Sequence, residues 1–294
     1  MNVRLKGFLQ LCRPANLPTS AADIIAGLAL AGFFNVFEYS RTIDGLLLVL
    51  ASVLLYAGGV VLNDVFDAEL DKIERPERPI PSGWVKLSEA RFFGFTLLFL
   101  GVLLAFVVNT TSGLVAVGLS LAILAYDGFS KQFKVLGPLN MGVCRGFNLL
   151  LGMSVFGNFD YAVYAIVPII YIAAITTVSQ GEVHGKNKKN IILAAILYAI
   201  VVFLVGYLSY WSTSAIGLYL IFLLVFMLAI FLPLLTAYRD NTPMNIKRAV
   251  KTGVISIILL DAAIAVPHSS LWVGVLIIAL LPLSILLAKI FAVT

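Results

Sequence analysis

Ten apolar runs follow one another along this chain, at 17–34, 43–62, 92–108, 113–126, 140–156, 161–178, 191–208, 215–237, 249–266 and 271–291. A helix needs about 20 apolar residues to cross a bilayer, and about 17 at the short end. The pattern therefore predicts an all-α fold, a polytopic transmembrane bundle of nine to ten spans forming a single domain over 1–294. The run at 113–126 is short, so it either borrows flanking residues or stops before the far side. Composition agrees: 61% of the 294 residues are apolar and 12% charged, against about a quarter charged in soluble domains. The first run leads straight into further spans, so it reads as a span and not as a cleavable leader.

The loops predict an orientation. Of the 20 Lys and Arg, Arg41 alone falls in a connection of its class. The others lie before the first run, near the C-terminus, or with the connections on the opposite side, such as Lys72, Arg75, Arg78, Lys86 and Arg91. The positive-inside bias places the N-terminus and the long polar loops in the cytoplasm, in an integral, multi-pass membrane protein. The same bias accounts for the net charge of +5, and no nucleic-acid surface is expected. Cys12 and Cys144 are too few for a disulfide framework, and both fall on the side where thiols stay reduced.

Chemistry concentrates after the second run, in Asn63-Asp64-Val65-Phe66-Asp67-Ala68-Glu69-Leu70-Asp71. At 100° per helical residue, Asn63, Asp64, Asp67 and Asp71 fall within about a 100° sector, while Glu69 points away. Carboxylates gathered at a membrane face repel one another unless a cation neutralises them. Three carboxylates and an amide oxygen are hard ligands suited to Mg²⁺, which commonly bridges to substrate phosphates. A merely solvated helix end is the plain alternative. Arg75-Pro76-Glu77-Arg78-Pro79-Ile80-Pro81-Ser82-Gly83 follows, a loop that three prolines and a glycine keep from forming a regular helix. Arg75 and Arg78 are placed to fork onto phosphate oxygens, or to act only as topology-setting charges.

Asn-Asp-x-x-Asp-x-x-x-Asp after the second span, with Arg-Pro-x-Pro-x-Gly beyond it, resembles the UbiA superfamily of intramembrane prenyltransferases. The likeness extends along the chain in span order and in the side on which the motifs fall. It implies helices around a central cavity, with Mg²⁺ as the cofactor holding a polyprenyl diphosphate. A small acceptor captures the allylic cation as diphosphate leaves. On this resemblance Asn63, Asp67 and Asp71 are metal ligands, Asp64, Asp67 and Asp71 belong to the catalytic set, and Arg78 contacts diphosphate. Tyr126-Asp127-Gly128-Phe129-Ser130-Lys131 stands where the family has Tyr-x-x-x-Lys, with one residue more between Tyr and Lys. Lys131 would neutralise diphosphate, and Tyr126 would face substrate or serve as a membrane-interface aromatic. Arg145 and Asn148, inside the fifth run, are substrate-pocket candidates, because an intramembrane Arg usually faces a cavity or a partner.

The family's second acidic motif should follow the sixth run, where this chain has Ser179-Gln180-Gly181-Glu182-Val183-His184-Gly185. If Gln180 and His184 align with the motif's aspartates, that site has lost about two negative charges. Gln180 is then a substrate contact, and Glu182 and His184 are catalytic candidates. Glu182 can stand in as the acid, and His184 can act as a base or simply cap a helix end. The pattern is similar to that of a UbiA-like subgroup called EboC. The partners expected are polyprenyl diphosphate, a small polar or aromatic acceptor and membrane lipids; the oligomeric state is left open. A catalytically silent isoprenoid-binding or scaffold protein is one alternative. A transporter is another, although it would spread its carboxylates along the membrane midplane, whereas here the charges gather at one face and only Asp23 and Asp261 lie clearly inside the runs.

Overall fold

The computed structural model describes residues 2–35, 39–182, 185–210 and 216–291, and these contain no β-strand. Their helices are α1 (Val3–Leu11), α2 (Leu17–Leu30), α3 (Tyr39–Phe66), α4 (Ala68–Glu74), α5 (Leu87–Val108), α6 (Thr110–Gly128) and α7 (Leu136–Met153). They continue with α8 (Ile166–Ser179), α9 (Lys188–Tyr210), α10 (Ile216–Arg239), α11 (Pro243–Ile255), α12 (Ile257–Ala265), α13 (Leu271–Ile278) and α14 (Leu280–Ile290). Among the described residues, nine helical segments are long and apolar enough to cross a bilayer.

α2 is a different kind of helix. Its 14 residues rise about 21 Å at 1.5 Å per residue, less than a hydrocarbon core of about 30 Å. It is buried along nearly its whole length. The run at 17–34 therefore yields an inner helix shorter than the run, which the 3₁₀ turn Pro14–Asn16 extends on the Arg13 side. Gly32, with φ +76°, takes the left-handed conformation that closes a helix. Beyond it, Phe33–Asn35 form one 3₁₀ turn.

Small residues let α2 sit at the centre. A Cβ on Gly27 would lie 2.3 Å from the Leu149 carbonyl of α7, and one on Gly152 of α7 would lie 2.4 Å from the Ile24 carbonyl of α2. The backbones touch there, the close approach that small residues allow between membrane helices. α2 and α7 contribute to two apolar clusters. One gathers Leu48, Leu55, Leu98 and Leu119 from α3, α5 and α6. The other gathers Tyr171, Tyr198, Phe226 and Ile258 from α8, α9, α10 and α12. Perimeter helices turn Phe92, Phe99, Phe203 and Leu232 outward, as a lipid-facing surface requires.

The short run at 113–126 belongs to a helix long and apolar enough to cross. Its helix extends to Thr110–Gly128 because the Asn109 side chain accepts the Ser112 amide at 2.8 Å and caps it. α3 covers about 35 Å between Arg41 and Asp64, so those residues lie at opposite membrane faces. The last span breaks between α13 and α14. Pro282 has no N–H to give to a residue 278 carbonyl, which leaves the helix without that bond. α1 lies outside the apolar runs. Asn2 caps it, Arg4 pairs with Glu89 at 2.7 Å, and Phe8 meets Phe93 edge-on at 5.1 Å.

Candidate active site

The acidic stripe keeps its shared face although the helix is interrupted at one residue. α3 ends at Phe66 and α4 starts at Ala68. The Asp67 amide still bonds to the Asn63 carbonyl, and the Asp71 amide to the Asp67 carbonyl, at 3.0 and 2.8 Å. Asn63, Asp64, Asp67 and Asp71 thus remain roughly in register.

Each carboxylate of the stripe is met by a cation. Asp64 Oδ1 takes Arg13 Nη2 at 2.7 Å and Arg78 Nη1 at 3.2 Å. The same Arg78 Nη1 reaches Asp71 Oδ2 at 2.7 Å. Lys131 Nζ lies 2.6 Å from Asp67 Oδ1. Three carboxylates therefore face three cations, and Asp64 and Asp71 are buried. Such pairing offsets the cost of holding carboxylates where water is scarce.

The proline loop places Arg78. The Ser82 amide bonds back to the Arg78 carbonyl and the Val85 amide to the Pro79 carbonyl, and Gly83 supplies φ +78°. The extra residue between Tyr126 and Lys131 is absorbed by a 3₁₀ turn at Ser130–Gln132, so Lys131 still reaches the stripe. Asn63 Nδ2 donates to Asp127 Oδ1 at 2.8 Å, while Asp127 Oδ2 is buried with no hydrogen-bond partner.

A cavity of about 370 Å³ opens beside these groups. Arg13, Asn16, Asn63, Tyr126 and Asp127 line its polar end. Leu119, Ile123, Met141, Ile172, Val254 and Ile257 form apolar walls, and Tyr56, Arg145 and Asn148 also face it. Tyr126, Arg145 and Asn148 thus share one space with Asn63, the first residue of the stripe, while Asp64, Asp67, Asp71, Arg78 and Lys131 lie outside its lining.

The α8–α9 connection carries the remaining predicted residues. Gln180 Oε1 accepts from Asn190 Nδ2 at 3.2 Å. Glu182 is half-buried, and burial raises its carboxyl above the ordinary range against the opposing pull of Lys247 and Arg75. Neither residue lines the cavity. His184 lies outside the described residues.

Sequence reasoning passed over Arg13, Asn16 and Asp127 as site residues. Arg13 read as a topology charge, and its partner Asp64 is 51 residues away. Its left-handed backbone, φ 46° and ψ 64°, leaves no trace in composition. The signal available for Asp127 was a carboxylate at the end of an apolar run.

The residues suit Mg²⁺. All the candidate donors are carboxylate or amide oxygens, and Asp127 adds a buried oxygen without a partner. Among the described residues no three His, Cys, Asp or Glu converge as a ready-made metal cage. Mg²⁺ seldom needs one, since it is commonly held by one or two carboxylates plus substrate phosphates. Asn63, Asp67 and Asp71 would hold it, with Asp64 alongside.

Comparison with known proteins gives consistent likenesses. The sequence model of the UbiA prenyltransferase family matches residues 18–258. Digeranylgeranylglyceryl phosphate synthase of Methanosarcina barkeri is 36% identical over 167 residues, which cover 53% of this chain and 57% of that protein. The matched stretch thus spans a little over half of that relative's length. Two solved structures share the fold. A UbiA homolog from Aeropyrum pernix K1 superposes with a TM-score of 0.68 at 18% identity, over 85% of this chain and 97% of that one. A UbiA homolog from Archaeoglobus fulgidus bound to GPP and Mg²⁺ gives 0.65 at 16% identity, over 88% and 100%.

Proposed function

Because the chain belongs to the UbiA prenyltransferase family, we propose that it transfers an isoprenyl group from a polyprenyl diphosphate to a small polar or aromatic acceptor within the membrane, with release of diphosphate. The observation that carries this reading is the acidic stripe, matched charge for charge by Arg13, Arg78 and Lys131 beside the mouth of an apolar-walled cavity.

These three cations neutralise Asp64, Asp67 and Asp71. When a diphosphate enters, its oxygens compete for the same cations. Arg13 and Arg78 can offer planar forks and Lys131 a point charge. The carboxylates they release then face outward as oxygen ligands. Bound Mg²⁺ would supply positive charge against the diphosphate as its bond to carbon breaks. The C1–oxygen bond of the allylic diphosphate breaks with its electron pair leaving on diphosphate. The acceptor's nucleophilic atom bonds to C1 and gives up its proton to the departing diphosphate. Leu119, Ile123, Met141 and Ile172 shelter the reacting carbon from water, which limits capture by hydrolysis. The cavity's size, at the low end of the range of about 300–1,000 Å³ for small-molecule sites, suits a headgroup and the nearest isoprene units, with the remaining tail in lipid.

The positive-inside bias supports a cytoplasmic site. A glycerophosphate lipid belongs in the acceptor panel because the similar Methanosarcina protein carries that name.

The test is Mg²⁺-dependent pyrophosphate release by the protein in lipid, with farnesyl and geranylgeranyl diphosphate and a panel of acceptors. Acceptor-dependent release is expected, with Asp67→Asn abolishing it while the bundle stays folded. Undiminished release in Asp67→Asn would remove the stripe from the mechanism. A second reading, isoprenoid binding without turnover, is favoured by the neutral Gln180 in the second motif. Saturable diphosphate binding with no release would select it.

A further inference from the structure

The cavity has a second polar end. Tyr56 stands seven residues before Asn63 on α3, about 10 Å deeper at 1.5 Å per residue, and Arg145 lies against its ring at 6.0 Å. Arg145 is more than nine-tenths buried and lines the cavity. Its Nε meets Asp23 Oδ2 at 2.8 Å, and its Nη2 has no hydrogen-bond partner. A buried guanidinium donor left unpaired is costly, and more so at the middle of a membrane bundle.

The neighbouring polar groups hold Arg145 in place. Asn148 Nδ2 donates to Asp23 Oδ2 at 2.8 Å and to the Ser20 carbonyl at 3.0 Å, and its Oδ1 accepts from Ser52 Oγ at 2.7 Å. Both of its donors are used, so its role here is to position Asp23. Asp261 of α12 abuts Asp23 and is equally buried.

We propose that Arg145 and Tyr56 form an acceptor subsite at the inner end of the cavity, selecting a compact acceptor that carries an uncharged oxygen, such as a ring carbonyl, on the side away from its nucleophilic atom. The inference rests on the prenyl-transfer reading. Its argument is charge and reach. Asp23 already neutralises the guanidinium, so an anionic group would bring an unbalanced charge into a medium that solvates it poorly. An uncharged oxygen takes the spare donor without that cost. A ring bearing polar atoms at both ends bridges most of the roughly 10 Å of α3 rise between Tyr56 and Asn63. A glycerophosphate headgroup would instead stay with Arg13 and Lys131.

Binding to the full chain in lipid nanodiscs tests this without turnover, using 4-hydroxyacetophenone as the neutral probe. 4-Hydroxybenzoate and glycerol 1-phosphate serve as anionic probes. Two variants are compared. Asp23→Asn with Arg145→Gln removes both charges together, which avoids stranding one. Val254→Phe fills the cavity and leaves the cluster intact. Saturable ketone binding, tighter than benzoate binding and weakened about tenfold or more in both variants, is expected from the loss of a charged hydrogen bond. Absence of saturable ketone binding by the parent chain, affinity in both variants equal to the parent's, or tighter benzoate binding overturns the subsite. Geranyl diphosphate binding with Mg²⁺ is measured in parallel. If that alone fails in the parent chain, the transferase reading falls and the ketone result still decides the subsite.

Discussion

Arg13 adopts φ 46° and ψ 64°, a conformation that costs a non-glycine residue roughly 1–2 kcal/mol. Pro14 follows, and together they turn the chain from α1 into the buried α2 while pointing the guanidinium at Asp64. Strain of this kind persists where surrounding contacts over-determine it, often at functional sites. Arg13→Gln keeps a similar length and loses the charge. We expect Mg²⁺-dependent binding of geranylgeranyl diphosphate to weaken about tenfold or more, the loss of one charge-assisted contact, with little change in folding. Equilibrium binding in nanodiscs reads this directly, and an unchanged affinity would make Arg13 a structural partner of Asp64 alone. The acidic stripe was legible in the sequence because helical periodicity acts over a few residues. Arg13 and Asp127 were not, because what makes them site residues is contact with α3 from other elements.

At the scale of elements, the contact between α2 and α7 is the joint most sensitive to added volume. Gly152→Val would force a side chain into the Ile24 carbonyl, 2.4 Å from where its Cβ must sit. Overpacking of this kind costs roughly 1–3 kcal/mol. A lowered apparent melting temperature in detergent is expected, whereas Gly217→Ala, which meets nothing within 4 Å, should leave it near or above the parent value. Equal melting of both would show that α2 and α7 separate easily. The apolar runs foretold most helices but overstated α2, since hydropathy does not register the left-handed turn at Gly32. They also missed α1, whose nine residues mix polar and apolar side chains. Gln180→Asp combined with His184→Asp should raise pyrophosphate release with an ordinary prenyl diphosphate if these positions correspond to the family's second acidic motif. A folded double variant with no gain would assign the α8–α9 connection a different role.

For the whole molecule, charge asymmetry and structure divide the bundle in the same way. Arg13, Asp64, Arg78 and Lys131 meet at one end. Arg41, Asp44 and Asn109 gather with Phe156 at the other. The positive-inside bias counts Lys and Arg in short loops, so almost every such residue in this chain argues for the same orientation, and Arg41 alone argues against it. A diphosphate site facing the cytoplasm can draw on soluble prenyl diphosphates, and its apolar tail can extend into lipid without crossing the headgroups again. Lys72 is exposed beyond the stripe, and Thr110 is exposed at the far end. Single cysteines at these positions, with Cys12 and Cys144 replaced by serine, can be labelled in intact cells by a membrane-impermeant maleimide. Thr110→Cys should label in intact cells, and Lys72→Cys only after the membrane is opened. The reverse pattern would put the stripe outside, where cytoplasmic prenyl diphosphates do not reach, and would force a different donor on the same fold.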